Sequence, residues 1–246
     1  MSSQPILIIP ARMQSSRLPG KPLADIAGRP MIAHVVARAL DAGIGPVLVA
    51  TDDAAIACAA SAAGAQVVLT EDHATGSDRI AEAIAMVDPH RHHDVVVNLQ
   101  GDEPEADPAA LRAVLGPLDD PAVAIATLAA PLLDADRANI NAVKLFGLPL
   151  GATRVRATRF SRALPLGTPP GAAWRHVGVY AFRRAALERF VALPPSHNET
   201  RERLEQLRAM DDGMRIDAAL VAKAHRGIDT PADLAEARER FAKGND

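Results

Sequence analysis

The chain has 246 residues, of which 48% are apolar, so it is long enough to bury the core of one large α/β domain. Its net charge of −3 at pH 7 argues against a general nucleic-acid-binding protein, because such proteins usually carry a basic excess. The single cysteine, Cys58, excludes an internal disulfide, and its alanine-rich neighbours predict a small buried spacer in a helix. The apolar run in "MSSQPILIIPAR" is too short for a signal peptide or a membrane span. We therefore expect a soluble, cytoplasmic protein that binds neither nucleic acid nor membrane.

Strands and helices alternate over the first half of the chain. "ILIIP" predicts a strand that is buried on both faces, and "PMIAHVVARALDAG" predicts a helix that ends at Gly43. A predicted strand followed by a predicted helix occurs three more times: "PVLVATD" and the alanine-rich helix to Gly64, "AQVVLT" and "SDRIAEAIAMV", and "DVVVNLQGDEP" and "DPAALRAVLGPL". Such alternation, which continues to about Thr127, indicates right-handed crossovers and a mostly parallel sheet flanked by helices.

The pattern changes between about residues 128 and 182. "NAVKLF", "TRVRATRF" and "WRHVGVYAF" predict strands between Pro/Gly-rich loops, and we interpret them as an antiparallel insertion for substrate and subunit contacts. Two helices, "RAALERFVAL" and "ETRERLEQLRAMDDG", and the strand "RIDAALVA" follow. Thr230 and Asp233 form the signature of a capping box at the start of the last helix. The whole chain, 1–246, is thus predicted to be a single domain with a β-rich insertion.

Three cations follow the first strand, in "IIPARMQSSRLPGKPL". Arg12, Arg17 and Lys21 lie where ligands bind in open parallel sheets, beyond the carboxyl end of a strand. Neither "GxxxxGK[ST]" nor "GxGxxG" is present, which argues against P-loop NTPases and dinucleotide-dependent dehydrogenases. Prolines and Gly20 could fix a turn whose amides and cations wrap a polyanion; the alternative is a solvated basic loop.

Carboxylates follow two later strands. In "NLQGDEP", Gly101 permits a sharp turn that presents Asp102 at the rim of the sheet, where a carboxylate facing a phosphate-binding loop is suited to hold Mg²⁺. The alternative is an Asx turn in which Asp102 bonds its own backbone. In "GIDTPAD", Asp229 is a candidate for a second metal-facing carboxylate, although Asp before Thr-Pro is also ordinary at a helix start.

The motifs "IIPARMQSSRLPGKPL", "ATDD", "HATGSDR", "NLQGDEP", "FSRA", "RHVGVYAF", "LEQLR" and "GIDTPADL" occur in this order over nearly the whole chain. Together they resemble the 3-deoxy-D-manno-octulosonate (Kdo) cytidylyltransferase family. The resemblance implies a Rossmann-like nucleotidyltransferase fold, a homodimer, and transfer of CMP from CTP to the anomeric hydroxyl of Kdo. The products would be pyrophosphate and CMP-Kdo, an activated precursor of lipopolysaccharide.

The resemblance also implies roles for particular residues. Arg12, Arg17 and Lys21 would grip the triphosphate, with Arg12 nearest the reacting phosphate, and Ser77 and Arg79 would add nucleotide contacts. Arg12, Lys21 and Asp102 would be the catalytic residues, and Asp102 and Asp229 would hold Mg²⁺. The sugar would be bound by Gln100, His176, Tyr180, Glu205 and Gln206. One departure is Asn198, which stands where the family usually has an apolar residue.

Two other functions remain open at this point. The first is cytidylyl transfer to a different acidic sugar or acid, because the acceptor residues rest on resemblance alone. The second is a nucleotide-binding regulator without catalysis, against which the retention of Asp102 and Asp229 argues.

Overall fold

The structure, a computed structural model, describes residues 4–15 and 17–244. The strands, in chain order, are β1 (Ile6–Ala11), β2 (Asp25–Ile26), β3 (Arg29–Pro30), β4 (Val47–Thr51), β5 (Gln66–Leu69), β6 (Val95–Asn98), β7 (Ile125–Pro131), β8 (Lys144–Pro149), β9 (Arg154–Ser161), β10 (Trp174–Arg183) and β11 (Ile216–Leu220). The α-helices are α1 (Met31–Ala42), α2 (Ala54–Ala62), α3 (Gly76–Val87), α4 (Pro108–Ala113), α5 (Asp134–Arg137), α6 (Arg184–Ala192), α7 (His197–Glu202), α8 (Gln206–Asp211) and α9 (Pro231–Ala242). Within these described ranges, no helix is long and apolar enough to cross a membrane.

The chain forms two compact units, and the first comprises residues 1–111 and 225–246. Its main sheet has four parallel strands in the order β5-β4-β1-β6, and every residue of β1 is buried, while β2 and β3 form a separate antiparallel pair. Because parallel strands need crossovers, each strand is followed by a helix on the sheet, as the alternation in sequence predicts. The carboxyl ends of these strands share one edge of the sheet, where the polar loops after β1, β5 and β6 emerge.

The second unit comprises residues 112–224 and is a mixed sheet in the order β10-β7-β11-β9-β8. Strand β11 runs parallel to β7, whereas β10 is antiparallel to β7 and β8 is antiparallel to β9. The start of β8 also pairs with the start of β10, at Leu145 and Trp174. The antiparallel strands predicted from "NAVKLF", "TRVRATRF" and "WRHVGVYAF" are therefore present. The unit extends beyond the predicted insertion at 128–182, and the single-domain description of the chain stays a prediction.

Two local expectations are wrong, and one strand was not predicted. The unpredicted strand is β7, Ile125–Pro131, which lies between β10 and β11 in the second unit's sheet. The helix expected over "ETRERLEQLRAMDDG" is broken at Arg203, whose φ of 54° is left-handed, so that α7 and α8 are separate. Cys58 is exposed rather than buried, because α2 packs on the sheet through Ile56 and Ala60.

Helix ends follow the sequence more closely. Thr230 and Asp233 form the predicted capping box of α9, each side chain bonding the other's backbone N–H. Helix α1 ends at Gly43, which is left-handed, as predicted. These short-range signals succeed because a cap depends on residues that are adjacent in the chain.

Candidate active site

The polar loops of the first unit surround one cavity of about 330 Å³ at the carboxyl ends of its parallel strands. The lining combines residues from the loop after β1, the loop after β5, the loop after β6 and the segment before α9. Seven of the predicted site residues are among the lining: Arg12, Arg17, Lys21, Arg79, Gln100, Asp102 and Asp229. Residues up to 217 positions apart are thereby brought to one place.

Lys21 is the centre of the charge network in this cavity. Its Nζ donates to Oδ2 of Asp102 at 2.6 Å, to Oδ1 of Asp229 at 3.1 Å and to the carbonyl oxygen of Ile228 at 2.9 Å. All three donor positions of the ammonium are therefore used. Lys21 begins a 3-10 turn directly after Gly20, which is left-handed with φ 68°, a conformation that favours glycine. The Gly-Lys-Pro sequence thus aims the ammonium at the two carboxylates.

The pKa of Lys21 reports the balance of forces in this network. Burial by itself lowers the pKa of the ammonium, but the charges and hydrogen bonds of Asp102 and Asp229 outweigh it and raise the pKa above its ordinary value. The pKa of Asp102 is raised by burial and by its neighbours Glu103 and Asp229, against the opposing effect of Lys21. The carboxyl of Asp102 is 28% exposed and lies 2.6 Å from the Lys21 ammonium, which favours its ionised form.

The two arginines of the loop are held differently from Lys21. Arg17 is exposed and forms an ion pair with Oδ1 of Asp229 at 3.0 Å. Arg12 is also exposed, and its Nη1 donates to the backbone carbonyls of His73 and Ala74 at 3.3 and 3.5 Å. The guanidinium of Arg12 is therefore tethered by neutral carbonyl groups, and its charge is not cancelled by a carboxylate in these contacts.

Two glycines allow the loops to approach β1 closely. A Cβ on Gly101 would lie 2.9 Å from the carbonyl oxygen of Pro10, and a Cβ on Gly76 would lie 3.2 Å from the Pro10 ring. Gly101 does not have a positive φ, so its role is close approach rather than the conformational freedom expected from the sequence. The backbone carbonyl of Asp102 accepts a hydrogen bond from the N–H of Ile228 at 2.9 Å, which joins the two acidic segments.

The predicted sugar-binding residues His176 and Tyr180 lie on β10 in the second unit. Nε2 of His176 lies 3.0 Å from the hydroxyl oxygen of Thr127, and this hydroxyl donates to the carbonyl oxygen of Val179 at an oxygen–oxygen distance of 2.8 Å. Since the hydroxyl has one proton and gives it to that carbonyl, Nε2 is the protonated nitrogen of the ring and Nδ1 is an acceptor. Burial lowers the pKa of His176 to about 3, so the imidazole is neutral. It contacts the ring of Tyr180 at a centroid distance of 5.5 Å.

Glu205 and Gln206, predicted to contact the sugar, lie at the start of α8, directly after the helix break at Arg203. The side chain of Gln206 is buried, and its Nε2 has no hydrogen-bond partner within the described residues. A buried amide donor without a partner is costly, which suits a site that is completed by a bound hydroxyl or carboxylate. Glu205 is half-buried beside it.

Comparison with known proteins identifies the family of this chain. The cytidylyltransferase family model matches residues 6–216. A 3-deoxy-manno-octulosonate cytidylyltransferase of Methylobacterium radiotolerans is 57% identical over 239 residues, and the match covers 96% of both chains. The chain belongs to the cytidylyltransferase family. An enzyme of the same description from Rhodopseudomonas palustris is 56% identical, with 96% of this chain and 97% of the relative covered.

A solved structure extends this family assignment to the fold. A CMP:2-keto-3-deoxy-manno-octonic acid synthetase complexed with CTP superposes with a TM-score of 0.89 at 41% identity, over 98% of this chain and 100% of the other. The predicted nucleotidyltransferase fold and the predicted family are therefore confirmed. In a cytidylyltransferase, a cavity in which cations and carboxylates face each other is the expected place for the nucleoside triphosphate.

The carboxylates of this cytidylyltransferase fit a magnesium ion. Asp102 and Asp229 both point at one cation, the Lys21 ammonium, which stands where an ion between two carboxylates would stand. Mg²⁺ usually takes one or two carboxylates and completes its octahedron with phosphate oxygens and water. Within residues 4–15 and 17–244 there is no group of three His, Cys, Asp or Glu side chains that could hold a metal without such a substrate. The donor set therefore suits a metal that arrives with a phosphate ligand.

Arg79 and Ser77, the other predicted nucleotide contacts, are more buried than the cations of the loop. Arg79 is 2% exposed and donates to Oγ1 of Thr70 at 2.6 Å and to Oδ2 of Asp52 at 3.1 Å, although it also reaches the cavity lining. Ser77 is buried in the first turn of α3 and is not part of the cavity lining. For Arg79 the structure shows a brace between the loops after β4 and β5, and nucleotide contact by either residue stays a prediction.

Two residues that hold loops of the site in place were not predicted from the sequence. The Glu82 carboxylate bonds the backbone N–H of Glu71 and the ring of His73 in the loop after β5. Nε2 of His225 lies 2.8 Å from Oε2 of Glu103. Neither Glu82 nor His225 stands in a motif that the sequence analysis singled out as functional. The only local signal for Glu82 is its position two turns into a helix whose preceding loop carries a histidine, "HATGSDRIAE".

Proposed function

We propose that this chain transfers the cytidylyl group of CTP to the anomeric hydroxyl of 3-deoxy-manno-octulosonate, releasing pyrophosphate. The observation that carries the proposal is the single cavity in which Lys21 meets both Asp102 and Asp229 while Arg12 and Arg17 line the same space. Cations for a triphosphate and carboxylates for its metal are the parts that phosphoryl-type transfer requires. The relatives at 56–57% identity are described as enzymes for the same acceptor, which supports Kdo.

The nucleotide is assigned to the cavity of the first unit. The guanidinium of Arg12 contacts carbonyl groups that do not neutralise its charge, and we assign it to the phosphate that reacts. Arg17 and Lys21 are assigned to the remaining phosphates. As the anomeric oxygen loses its proton to water and bonds to the α-phosphorus, the bond from that phosphorus to the bridging oxygen breaks, and pyrophosphate leaves with the negative charge that develops on this oxygen. These cations stabilise that charge, and little covalent work is left for the protein.

The metal ion is assigned to Asp102 and Asp229. When bound, Mg²⁺ would supply charge neutralisation on the phosphate oxygens and fix their orientation. The ammonium of Lys21 lies between the two carboxylates. Lys21 is therefore placed to exchange its carboxylate partners for phosphate oxygens when nucleotide and metal enter the cavity.

The acceptor is assigned to His176, Tyr180, Glu205 and Gln206 of the second unit, and contact of Gln100 with the sugar stays a prediction. His176 offers a neutral acceptor nitrogen, Nδ1, and Gln206 offers a buried amide donor. Neutral donors and acceptors can discriminate between hydroxyl patterns, because a wrong sugar leaves buried polar groups without partners. We further propose a homodimer in the cytoplasm, where CTP is available, and a role in supplying activated Kdo for lipopolysaccharide.

The test is release of pyrophosphate from CTP and Mg²⁺ with a panel of acids: Kdo, an 8-amino analogue of Kdo, a sialic acid and a phosphonate. The proposal expects turnover with Kdo and at least tenfold lower kcat/KM with the others, the size of effect that unpaired buried polar groups produce. Turnover with another acid and none with Kdo would overturn the acceptor but leave cytidylyl transfer intact. CTP binding without turnover on any acid would point to a nucleotide-binding regulator instead.

A further inference from the structure

The loop between β5 and α3, residues 70–75, supplies the groups that hold Arg12. Both carbonyls that accept from Arg12, those of His73 and Ala74, belong to this loop, and His73 and Thr75 also line the nucleotide cavity. The position of the Arg12 guanidinium therefore depends on the position of a segment without regular secondary structure. What fixes this segment decides where Arg12 points.

The end of the loop nearest α3 is fixed by the helix itself. The Thr75 hydroxyl caps α3 by accepting from the N–H of Asp78 at 3.1 Å, and Gly76 packs against the ring of Pro10 on β1. These contacts explain why the chain turns at Thr75. They do not reach the preceding residues, from Glu71 to His73.

The end of the loop nearest β5 is fixed by Glu82, in the second turn of α3. One carboxylate oxygen of Glu82 accepts from the backbone N–H of Glu71 at 3.1 Å, and the same oxygen lies 2.5 Å from Nε2 of His73. The two side chains are only about one quarter exposed, so water competes little for this contact. Helix α3 therefore holds the loop at both ends, through Thr75 at its cap and through Glu82 further along.

We propose that Glu82 is a positioning residue for nucleotidyl transfer, which holds His73 and Glu71 so that the loop carbonyls aim the Arg12 guanidinium at the triphosphate. Glu82 contacts no substrate in this assignment and acts through Arg12. The proposal rests on the proposed function for the role of Arg12, whereas the contacts that place Glu82 behind Arg12 are independent of which acid is the acceptor.

The central experiment is a double-mutant cycle with Glu82→Gln and Arg12→Ala. The Gln side chain keeps the volume but removes the negative charge, so its remaining oxygen accepts from the Glu71 N–H and the His73 ring more weakly than the carboxylate does. We expect kcat/KM for CTP to fall about tenfold in the otherwise wild-type enzyme, because small misplacements of catalytic groups have effects of this order. In the Arg12→Ala background we expect the same substitution to change kcat/KM by less than about twofold, since coupled residues are not additive.

Further measurements separate positioning from simple destabilisation. KM for Kdo should not change in Glu82→Gln, and the melting temperature should stay close to that of wild type. The matched control is Glu239→Gln, which makes the same chemical change on the surface of α9, where Glu239 and its partner Lys243 are both exposed. That control should leave every parameter unchanged. His73→Gln, which keeps a side-chain N–H, should retain more activity than His73→Ala.

The outcomes are distinct. Equal losses from Glu82→Gln in both backgrounds, or no loss in either, would overturn the proposal. If Glu82→Gln fails to fold, the comparison of His73→Ala and His73→Gln in the two backgrounds tests the same contact from its other side. If the wild-type enzyme shows no turnover with Kdo, the proposed acceptor fails, and the cycle is then read from CTP affinity by calorimetry in the same four proteins.

Discussion

Lys21 and Arg17 of the first unit pair with carboxylates in the predicted nucleotide cavity, whereas His176 and Gln206, two predicted acceptor residues of the second unit, are neutral. Lys21 is shared by Asp102 and Asp229, and Arg17 also pairs with Asp229. His176, by contrast, is uncharged and packs at right angles to Phe160 at a centroid distance of 5.0 Å. A polyanion with its metal needs mobile charges of both signs, and a sugar is distinguished by fixed donors and acceptors.

The largest effect should come from removing one charge of the first unit. Asp102→Asn keeps the side-chain volume but removes the carboxylate that binds Lys21 and is assigned to Mg²⁺. We expect kcat/KM to fall about 10²–10³-fold, the range found when one preorganised electrostatic contact is removed. Pyrophosphate release with CTP, Mg²⁺ and Kdo measures this, with the exposed Asp119→Asn as the matched substitution. Full activity of Asp102→Asn would show that the charge network is not needed.

The free energy of unfolding should fall when the ion pair between Glu199 and Arg208 is broken. Glu199 on α7 accepts two hydrogen bonds from the Arg208 guanidinium on α8, at 2.8 and 2.6 Å, with both side chains largely buried. Glu199→Gln leaves a buried cation with a weaker partner, and we expect the free energy of unfolding to fall by about 2 kcal/mol. Urea denaturation checks this against Glu239→Gln, where an exposed pair should contribute less than about 0.5 kcal/mol.

A pH-dependent effect on stability should come from His176, absent near neutral pH and growing as the pH falls. Its pKa in the folded chain, about 3, lies below the ordinary value of 6.5, so the unfolded chain binds the extra proton first as the pH falls. Stability from this residue is therefore complete above about pH 6.5 and decreases below it, by up to about 1.4 kcal/mol per pH unit. His176→Gln should show a shallower loss of stability between pH 6.5 and pH 4 in denaturation experiments. Parallel pH profiles for the two proteins would contradict the neutral, buried imidazole.

The smallest effect should come from Asn198, the departure from the family pattern. Its Nδ2 donates to Oδ1 of Asp211 at 2.8 Å, and the Ser196 hydroxyl donates to the other oxygen of the same carboxylate at 2.6 Å. These bonds tie the start of α7 to the end of α8 across the break. We expect Asn198→Ala to cost less than about 1 kcal/mol, because the contact is exposed. Ser196→Ala should cost more in the same assay, since Ser196 also caps α7; a larger loss at Asn198 would reverse this order.

The elements predicted well from the sequence are those with strong local signals. The apolar run of β1, the left-handed Gly43 after α1 and the capping box at Thr230 are each decided by neighbours in the chain. Strand β7 was missed because "IATLAAP" is rich in alanine, which has little strand preference, and its burial between β10 and β11 decides its conformation. The helix break at Arg203 has no glycine to announce it and is stabilised by contacts with α7 and α8.

For the site, the sequence by itself determined which charges are present and that they follow parallel strands, so that Arg12, Lys21 and Asp102 had to emerge at one edge of a sheet. Only the tertiary structure decided how those charges are partnered. The Lys21 ammonium between two carboxylates and the Glu82 carboxylate behind Arg12 depend on distances between loops that are far apart in the chain. Composition and local pattern carry no record of such distances, because they are set by the packing of helices and strands around the whole sheet.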